Sequence, residues 1–302
     1  MKHLLSIESL SADELRQIVA LGAKLKATRG ERRYRPLDGQ AWAMIFNKSS
    51  TRTRVSFEVG IRELGGYVMT LTGGDLQLGR GEPIKDTARA MGRMVAGCVI
   101  RTYAQQDVVD FADYGMVPTI NALTDDEHPC QVLADLLTMQ ELCGGWDGKK
   151  VVFLGDGDNN MSRSWMWASE RLGFELVIAA PQGYQPPADY LARLHGGTVR
   201  CEADPSAAVQ GADVLYTDVW VSMGQEEEGA RRVDDLQAYQ INDALVAQAN
   251  PGALVMHCLP AYREKEISEA VLEAHADTIF QEAENRLHAQ KAVLALLADP
   301  AL

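Results

Sequence analysis

Short apolar runs alternate with amphipathic stretches from one end of the chain to the other. The runs Ala41–Phe46, Tyr67–Leu71, Cys98–Arg101 and Pro118–Asn121 read as strands. So do Lys150–Leu154, Glu175–Ala180, Thr198–Cys201, Val214–Thr217, Ala253–His257 and Thr278–Phe280. Helical periodicity fills the intervals at Arg54–Leu64, Ile84–Val95, Gln131–Leu142, Met161–Leu172 and Leu287–Leu297. Near the start, Ser11 with Glu14 three residues on predicts a capped helix. Strands alternating with helices of this length predict parallel sheets covered on both faces.

The pattern breaks at Cys143–Lys149, where Gly-Gly and Asp-Gly interrupt it. About four expected strands precede the break and about six follow. The predicted fold is therefore α/β with two domains, each a parallel sheet flanked by helices. Their limits are residues 1–145 and 146–283, and a last helix over residues 284–302 is expected to pack back on the first domain. The stretch Gly224–Arg232 is charged, lacks periodicity and reads as a mobile loop.

Composition narrows the function. The chain has 302 residues, 46% of them hydrophobic, enough for a sizeable buried core. A formal charge of -13 argues against nucleic acid as a partner, because the average surface repels a polyanion. It does not argue against a small anion held by a local pocket. The five cysteines, at 98, 130, 143, 201 and 258, form an odd set without metal-type spacing, and reduced thiols are the simplest reading. No apolar run approaches the roughly 18 residues that span a bilayer. The N-terminus lacks the regions of a signal peptide, so the expected location is the cytoplasm.

Polar motifs follow the expected strands, which is where open parallel sheets bind ligands. Ser49-Ser50-Thr51-Arg52-Thr53-Arg54 follows Ala41–Phe46 and opens a helix. Hydroxyls, free backbone N–H groups and the helix dipole make an anion cradle there. A plain capped helix would use similar hydroxyls. However, two arginines oppose the dipole, a local cost that a bound dianion offsets, so the phosphate reading is preferred. Arg101 closes its strand, and His128-Pro129-Cys130-Gln131 follows another with Pro129 suited to the first helical position. Taken singly, these are equally a surface arginine and a structural cap.

Gly155-Asp156-Gly157-Asp158-Asn159-Asn160 resembles a dinucleotide glycine loop but lacks the third glycine, and leaves a nucleotide-dependent oxidoreductase as a rival reading. Asp218 at a strand end is suited to a substrate ammonium. Asn160 offers either a cap or a carboxylate contact. His257-Cys258-Leu259-Pro260 and Glu284-Asn285-Arg286 complete the set, the latter expected to open the last helix.

In order and separation, SSTRTR, HPCQ, DVWVSMGQE, HCLPA and AENR resemble the ornithine carbamoyltransferases of the aspartate/ornithine carbamoyltransferase family, over about Leu37 to Leu297. HCLP with SMGQE is specific for the ornithine branch; the aspartate branch carries HPLPR in place of HCLPA. One departure is Tyr262-Arg263-Glu264-Lys265-Glu266, where many relatives read HRGEE.

The resemblance implies transfer of a carbamoyl group from carbamoyl phosphate to L-ornithine, giving L-citrulline and phosphate. It implies no metal or organic cofactor, and a homotrimer or a multiple of trimers. Carried over by motif, Ser50, Thr51, Arg52 and Thr53 would hold the phosphate. Arg101, His128 and Gln131 would bind the carbamoyl part, with Arg286 reaching it from the last helix. Asn160, Asp218, Ser222 and Met223 would bind ornithine, and Cys258 and Leu259 would bridge both substrates. Gln77, in LQLGRGEP, would reach a neighbouring subunit's site. Thr53, Arg101, His128 and Cys258 would act in catalysis. A carbamoyltransferase for a modified ornithine or another amine is the alternative within the class.

Overall fold

The computed structural model describes residues 1–31, 34–72, 81–221 and 229–299. The chain divides into two compact units. Unit 1 comprises Met1–Leu137 with Glu284–Leu302, and unit 2 comprises Thr138–Ala283. Nine strands, β1 to β9, lie among the described residues: Ala41–Phe46, Tyr67–Thr72, Gly97–Arg101, Thr119–Leu123, Lys150–Leu154, Glu175–Ala179, Val199–Glu202, Val214–Thr217 and Leu254–His257. The α-helices α1 to α12 are Ala12–Ala27, Thr51–Glu63, Ile84–Met91, Gln105–Gly115, Pro129–Leu142, Asn160–Leu172, Ala188–Leu191, Pro205–Val209, Gly229–Leu236, Asp243–Val246, Glu269–Ala274 and Ala276–Ala298.

Unit 1 holds a four-stranded parallel sheet in the order β2-β1-β3-β4. All of β1 beyond its first residue is buried, as expected of a central parallel strand, and β2 is the exposed edge. Gly97 is required by packing: a Cβ there would meet the Trp42 ring at 2.5 Å. Ser11 caps α1 in a reciprocal box with Glu14, as the sequence predicts. The segment before it pairs with β4, with Leu4 N–H donating to Thr119 O at 2.9 Å. The C-terminal helix packs on this unit. Lys291 Nζ donates to Glu63 Oε2 at 2.7 Å, and Lys26 Nζ donates to Asn285 Oδ1 at 2.8 Å.

Unit 2 holds a five-stranded parallel sheet in the order β7-β6-β5-β8-β9. Its core joins Val152, Leu154, Val177, Leu215 and Val255 to Trp220, Leu236 and Tyr239. No helix among the described residues is long and apolar enough to cross a membrane.

Two expectations fail. Thr278–Phe280 is helix, not strand, and the last helix begins at Ala276, so Glu284-Asn285-Arg286 lies inside it. Ile279, Glu282, Asn285 and Arg286 are all buried, while Phe280 is 57% exposed. The inward stripe is thus largely polar. Hydrophobic periodicity cannot reveal such a face, whereas a β-branched and aromatic triplet mimics a strand. The stretch read as a loop also ends in structure, since residues from Gly229 onward form α9; residues 224–228 lie outside the described residues.

Candidate active site

Strand register lines up the motifs within each sheet. In unit 1 the strand order reverses between β1 and β3, a topological switch point where α/β sheets open a crevice. Phe46 pairs with Arg101 across that point, and Asn47 N–H donates to Arg101 O at 2.9 Å. The hydroxyl-arginine motif therefore starts beside Arg101. Ser50 is the N-cap of α2, and its hydroxyl accepts from Thr53 N–H at 3.3 Å. His128 immediately precedes α5, which begins at Pro129.

Arg286 ties these elements together. Its Nη1 donates to Gln131 Oε1 at 3.0 Å, and its Nη2 donates to Thr53 Oγ1. Arg101, His128, Gln131, Thr53 and Arg286 are all buried, and Arg52 and Ser50 are half-buried. The Arg52 Nε is buried without a hydrogen-bond partner among the described residues. Thr51 is exposed. Burial, then the charges of Arg286, Arg101 and Arg52, hold the His128 pKa well below its ordinary value of 6.5. His128 is therefore a neutral imidazole among three guanidinium groups. Such a concentration of buried positive charge suits a multiply charged anion.

In unit 2 the order reverses between β5 and β8. Leu154 pairs with Thr217, and Thr217 with His257. The next residue on each strand is Gly155, Asp218 and Cys258, so register alone brings three motifs to one edge. The Cys258 thiol donates to Asp218 Oδ1 at 2.9 Å, and Val219 N–H donates to the same oxygen at 2.7 Å. Burial pushes the Asp218 carboxyl above its ordinary range, while the hydrogen bonds from Cys258 and Val219 N–H pull it back.

His257 supports this pair. Leu259 N–H donates to its Nδ1 at 2.9 Å, so Nε2 carries the hydrogen and donates to Glu266 Oε1 at 3.1 Å. One of its ring nitrogens lies within 4.8 Å of the Cys258 Sγ and of an Asp218 carboxylate oxygen. Both of its ring nitrogens are thus committed, to Leu259 N–H and to Glu266, and the hydrogen bond within the trio runs between Cys258 and Asp218. Leu259 itself has a left-handed backbone, φ 56°.

Asn160 is the first residue of α6, half-buried, behind the Asn159 cap that accepts from Met161 and Ser162 N–H at 2.9 Å each. The glycines of this loop serve packing. A Cβ at Gly155 would meet Trp220 Nε1 at 2.7 Å, and one at Gly157 would meet Ile178 at 2.5 Å. The room a dinucleotide pyrophosphate needs beside Gly155 is filled by the Trp220 indole, which counts against the oxidoreductase reading. Gln77, Ser222 and Met223 lie outside the described residues.

Several polar residues here carry no recognisable motif. Arg232 is paired with Asp156, both buried, and its Nε donates to Trp220 O at 2.6 Å. Lys48 is buried, paired with Asp125, and 4.2 Å from the Tyr103 ring centroid. Asp135 is buried against Gln131. Only the i,i+4 spacing of Gln131 and Asp135 was available as a signal; the other pairs are distant in sequence.

Comparison with known proteins fits this geometry. Residues 2–141 match the family described as "Aspartate/ornithine carbamoyltransferase, carbamoyl-P binding domain", and residues 147–297 match its "Asp/Orn binding domain". The chain is 60% identical over 301 residues to an ornithine carbamoyltransferase of Akkermansia muciniphila, covering 99% of each. A solved ornithine carbamoyltransferase from Pyrococcus furiosus is 44% identical, with a TM-score of 0.92 over 98% of this chain and 96% of that one. Another, an anabolic enzyme from Campylobacter jejuni, is 41% identical, with a TM-score of 0.93 over 99% and 100%. With its site geometry and both halves matched, the chain belongs to the aspartate/ornithine carbamoyltransferase family.

Proposed function

We propose that this carbamoyltransferase uses L-ornithine as acceptor, converting carbamoyl phosphate and L-ornithine to L-citrulline and phosphate. The observation that carries the reading is the buried set Thr53, Gln131, Arg101, His128 and Arg286 in unit 1. It supplies fixed cationic donors for a dianionic leaving group and polar groups for a carbamoyl function. On this reading Ser50, Thr51, Arg52 and Thr53 hold the phosphate, and Arg101, His128, Gln131 and Arg286 hold the carbamoyl end. Asp218 anchors the acceptor's α-ammonium, and Asn160, Ser222 and Met223 bind the ornithine with it. Cys258 and Leu259 serve both substrates. We extend the role of Gln77 to a neighbouring subunit's site.

The side-chain amine must be neutral to attack the carbonyl carbon. As the C–N bond forms, negative charge collects on the carbonyl oxygen. Thr53, Arg101 and neutral His128 stabilise it by hydrogen bonding and fixed charge. The C–O bond to phosphate then breaks, and the departing phosphate takes a proton from the attacking nitrogen. Cys258 accepts a hydrogen bond from the attacking amine. Positioning and fixed charge supply the rate.

We read the pathway as arginine biosynthesis, by analogy with the anabolic relative from Campylobacter jejuni, in the cytoplasm. We read the assembly as a homotrimer or a multiple of it. Exposed Tyr67 and Met69 on the edge strand β2 support a contact with another copy. Sedimentation tests the assembly. The activity test is citrulline formation from carbamoyl phosphate and ornithine, with aspartate and acetylated ornithine as controls. Turnover of a control in preference to ornithine would overturn the acceptor assignment.

A further inference from the structure

We infer that Glu127 is a positioning residue: its buried carboxylate locks the N-terminal arm, Leu4–Glu8, onto the loop that presents His128, and so fixes where the imidazole meets the carbonyl of the phosphate-bearing substrate. The inference rests on the carbamoyl phosphate reading above and extends it to a residue just outside the HPCQ motif. Helix α5 fixes His128 from one side. The His128 carbonyl accepts from Gln131 N–H at 3.1 Å and Val132 N–H at 3.4 Å, and Pro129 disfavours helical backbone at His128 itself. On the other side is the loop Thr124–Glu127. Thr124 N–H donates to Glu127 O at 2.9 Å, and Glu127 N–H donates to Thr124 Oγ1 at 3.2 Å.

The arm ties this loop down. Ile7 N–H donates to Glu127 Oε2 at 2.7 Å, and Glu8 N–H donates to Oε1 at 3.4 Å. The arm is itself anchored along β4. Asn121 N–H donates to Leu4 O at 2.7 Å, and Asn121 Nδ2 and Gln105 Nε2 each donate to Leu5 O at 2.9 Å. Gln105 Oε1 accepts in turn from the Thr124 hydroxyl at 2.6 Å. A ring of hydrogen bonds therefore runs from Leu5 through Gln105, Thr124 and Glu127 back to Ile7. Leu4, Ile7, Asn121 and Thr124 are fully buried, and Glu127 is 3% exposed. A carboxylate accepts both arm donors, and more strongly than a neutral group would. Without it Ile7 N–H is left buried and unpaired. The loop then parts from the arm, and His128, the next residue, moves with it.

Two stable ligands test this: phosphonoacetamide carries a carbonyl, and methylphosphonate carries the phosphonate without one. By calorimetry on the full chain, Glu127→Ala should bind phosphonoacetamide about tenfold more weakly, the worth of one hydrogen bond to its carbonyl. It should bind methylphosphonate as the wild type does. Its kcat should fall about 10- to 100-fold, the effect of a catalytic group displaced by about 1 Å, with ornithine KM near wild type. Glu127→Gln keeps one acceptor for Ile7 N–H and should recover most of both losses. In a His128→Asn background, Glu127→Ala should weaken phosphonoacetamide no further, whereas a merely structural residue would add the same loss in both backgrounds. Equal losses in the two backgrounds overturn the inference, as does an Ala variant that behaves as wild type or a Gln variant as impaired as Ala. Glu127→Leu guards against loss of folding in the Ala variant, which a thermal melt detects. Loss of folding in both makes Glu127 a residue of stability alone and overturns the inference too. Wild-type protein that binds phosphonoacetamide no more tightly than methylphosphonate overturns the carbamoyl phosphate reading instead, and the inference with it.

Discussion

The Cys258 thiol donates a hydrogen bond to Asp218 Oδ1 at 2.9 Å, across the carboxyl edge of the unit 2 sheet. The two residues are far apart in the chain, and they meet because Thr217 and His257, the residue before each, are register partners. A carboxylate held by a thiol and a backbone N–H, and buried enough that its pKa rises, is prepared to exchange those partners for an ammonium.

Asp218→Asn is expected to impair the amine acceptor and spare the donor. Loss of one charge-assisted hydrogen bond in a buried site corresponds to roughly 10- to 100-fold in acceptor KM or kcat/KM. Calorimetry with a carbamoyl phosphate analogue should show affinity close to wild type. Equal losses for both substrates would count against the assignment of Asp218 to the acceptor.

Arg52 and Arg286 are expected to differ. Arg286 is bonded to both Gln131 and Thr53, so Arg286→Lys keeps the charge but breaks the fork. Phosphonate affinity should fall about tenfold or more, together with the thermal midpoint, because buried acceptors are left unpaired. Arg52→Ala should weaken anion binding comparably while leaving the midpoint near wild type. Near-native turnover in Arg52→Ala would refute the phosphate assignment.

Stability should depend on pH through His128. Burial and the surrounding guanidinium groups hold its folded pKa well below 6.5, so below that pH the unfolded chain binds the proton that the folded chain rejects. Stability is then fully present above pH 6.5 and declines as pH falls below it. In denaturant titrations between pH 7 and pH 5, His128→Asn should show a shallower decline than wild type. The difference is at most about 1.4 kcal/mol per pH unit. Identical slopes would show that His128 is protonated in the folded state.

Gly155→Ala should destabilise unit 2. Gly155 has φ 117°, and the added carbon would meet the Trp220 indole nitrogen at 2.7 Å. Backbone strain and overpacking together amount to about 2–4 kcal/mol. A melt unchanged from wild type would mean the loop and Trp220 separate readily in solution.

Residues close in sequence or periodic along it were legible. The nine described strands and the Ser11 cap follow from apolar runs and capping chemistry, which act over a few residues. The motifs after β1, β3, β4, β5, β8 and β9 were visible because a parallel sheet sends its functional residues to strand ends. The start of α12 was not legible, since its buried face carries Glu282, Asn285 and Arg286 in place of an apolar stripe.

Sequence alone determined which residue types stand at each strand end, since local pattern and turn chemistry operate on neighbours. Tertiary structure alone decided which of those ends meet, because strand order and register are set by long-range packing. It placed Phe46 against Arg101 and Thr217 against His257, and it folded Arg286 back onto Thr53 and Gln131. It also recruited the supporting groups Asp135, Asp156, Arg232 and Glu266. A buried polar side chain is tolerated only where a partner satisfies it, and that partner's identity is a property of the fold.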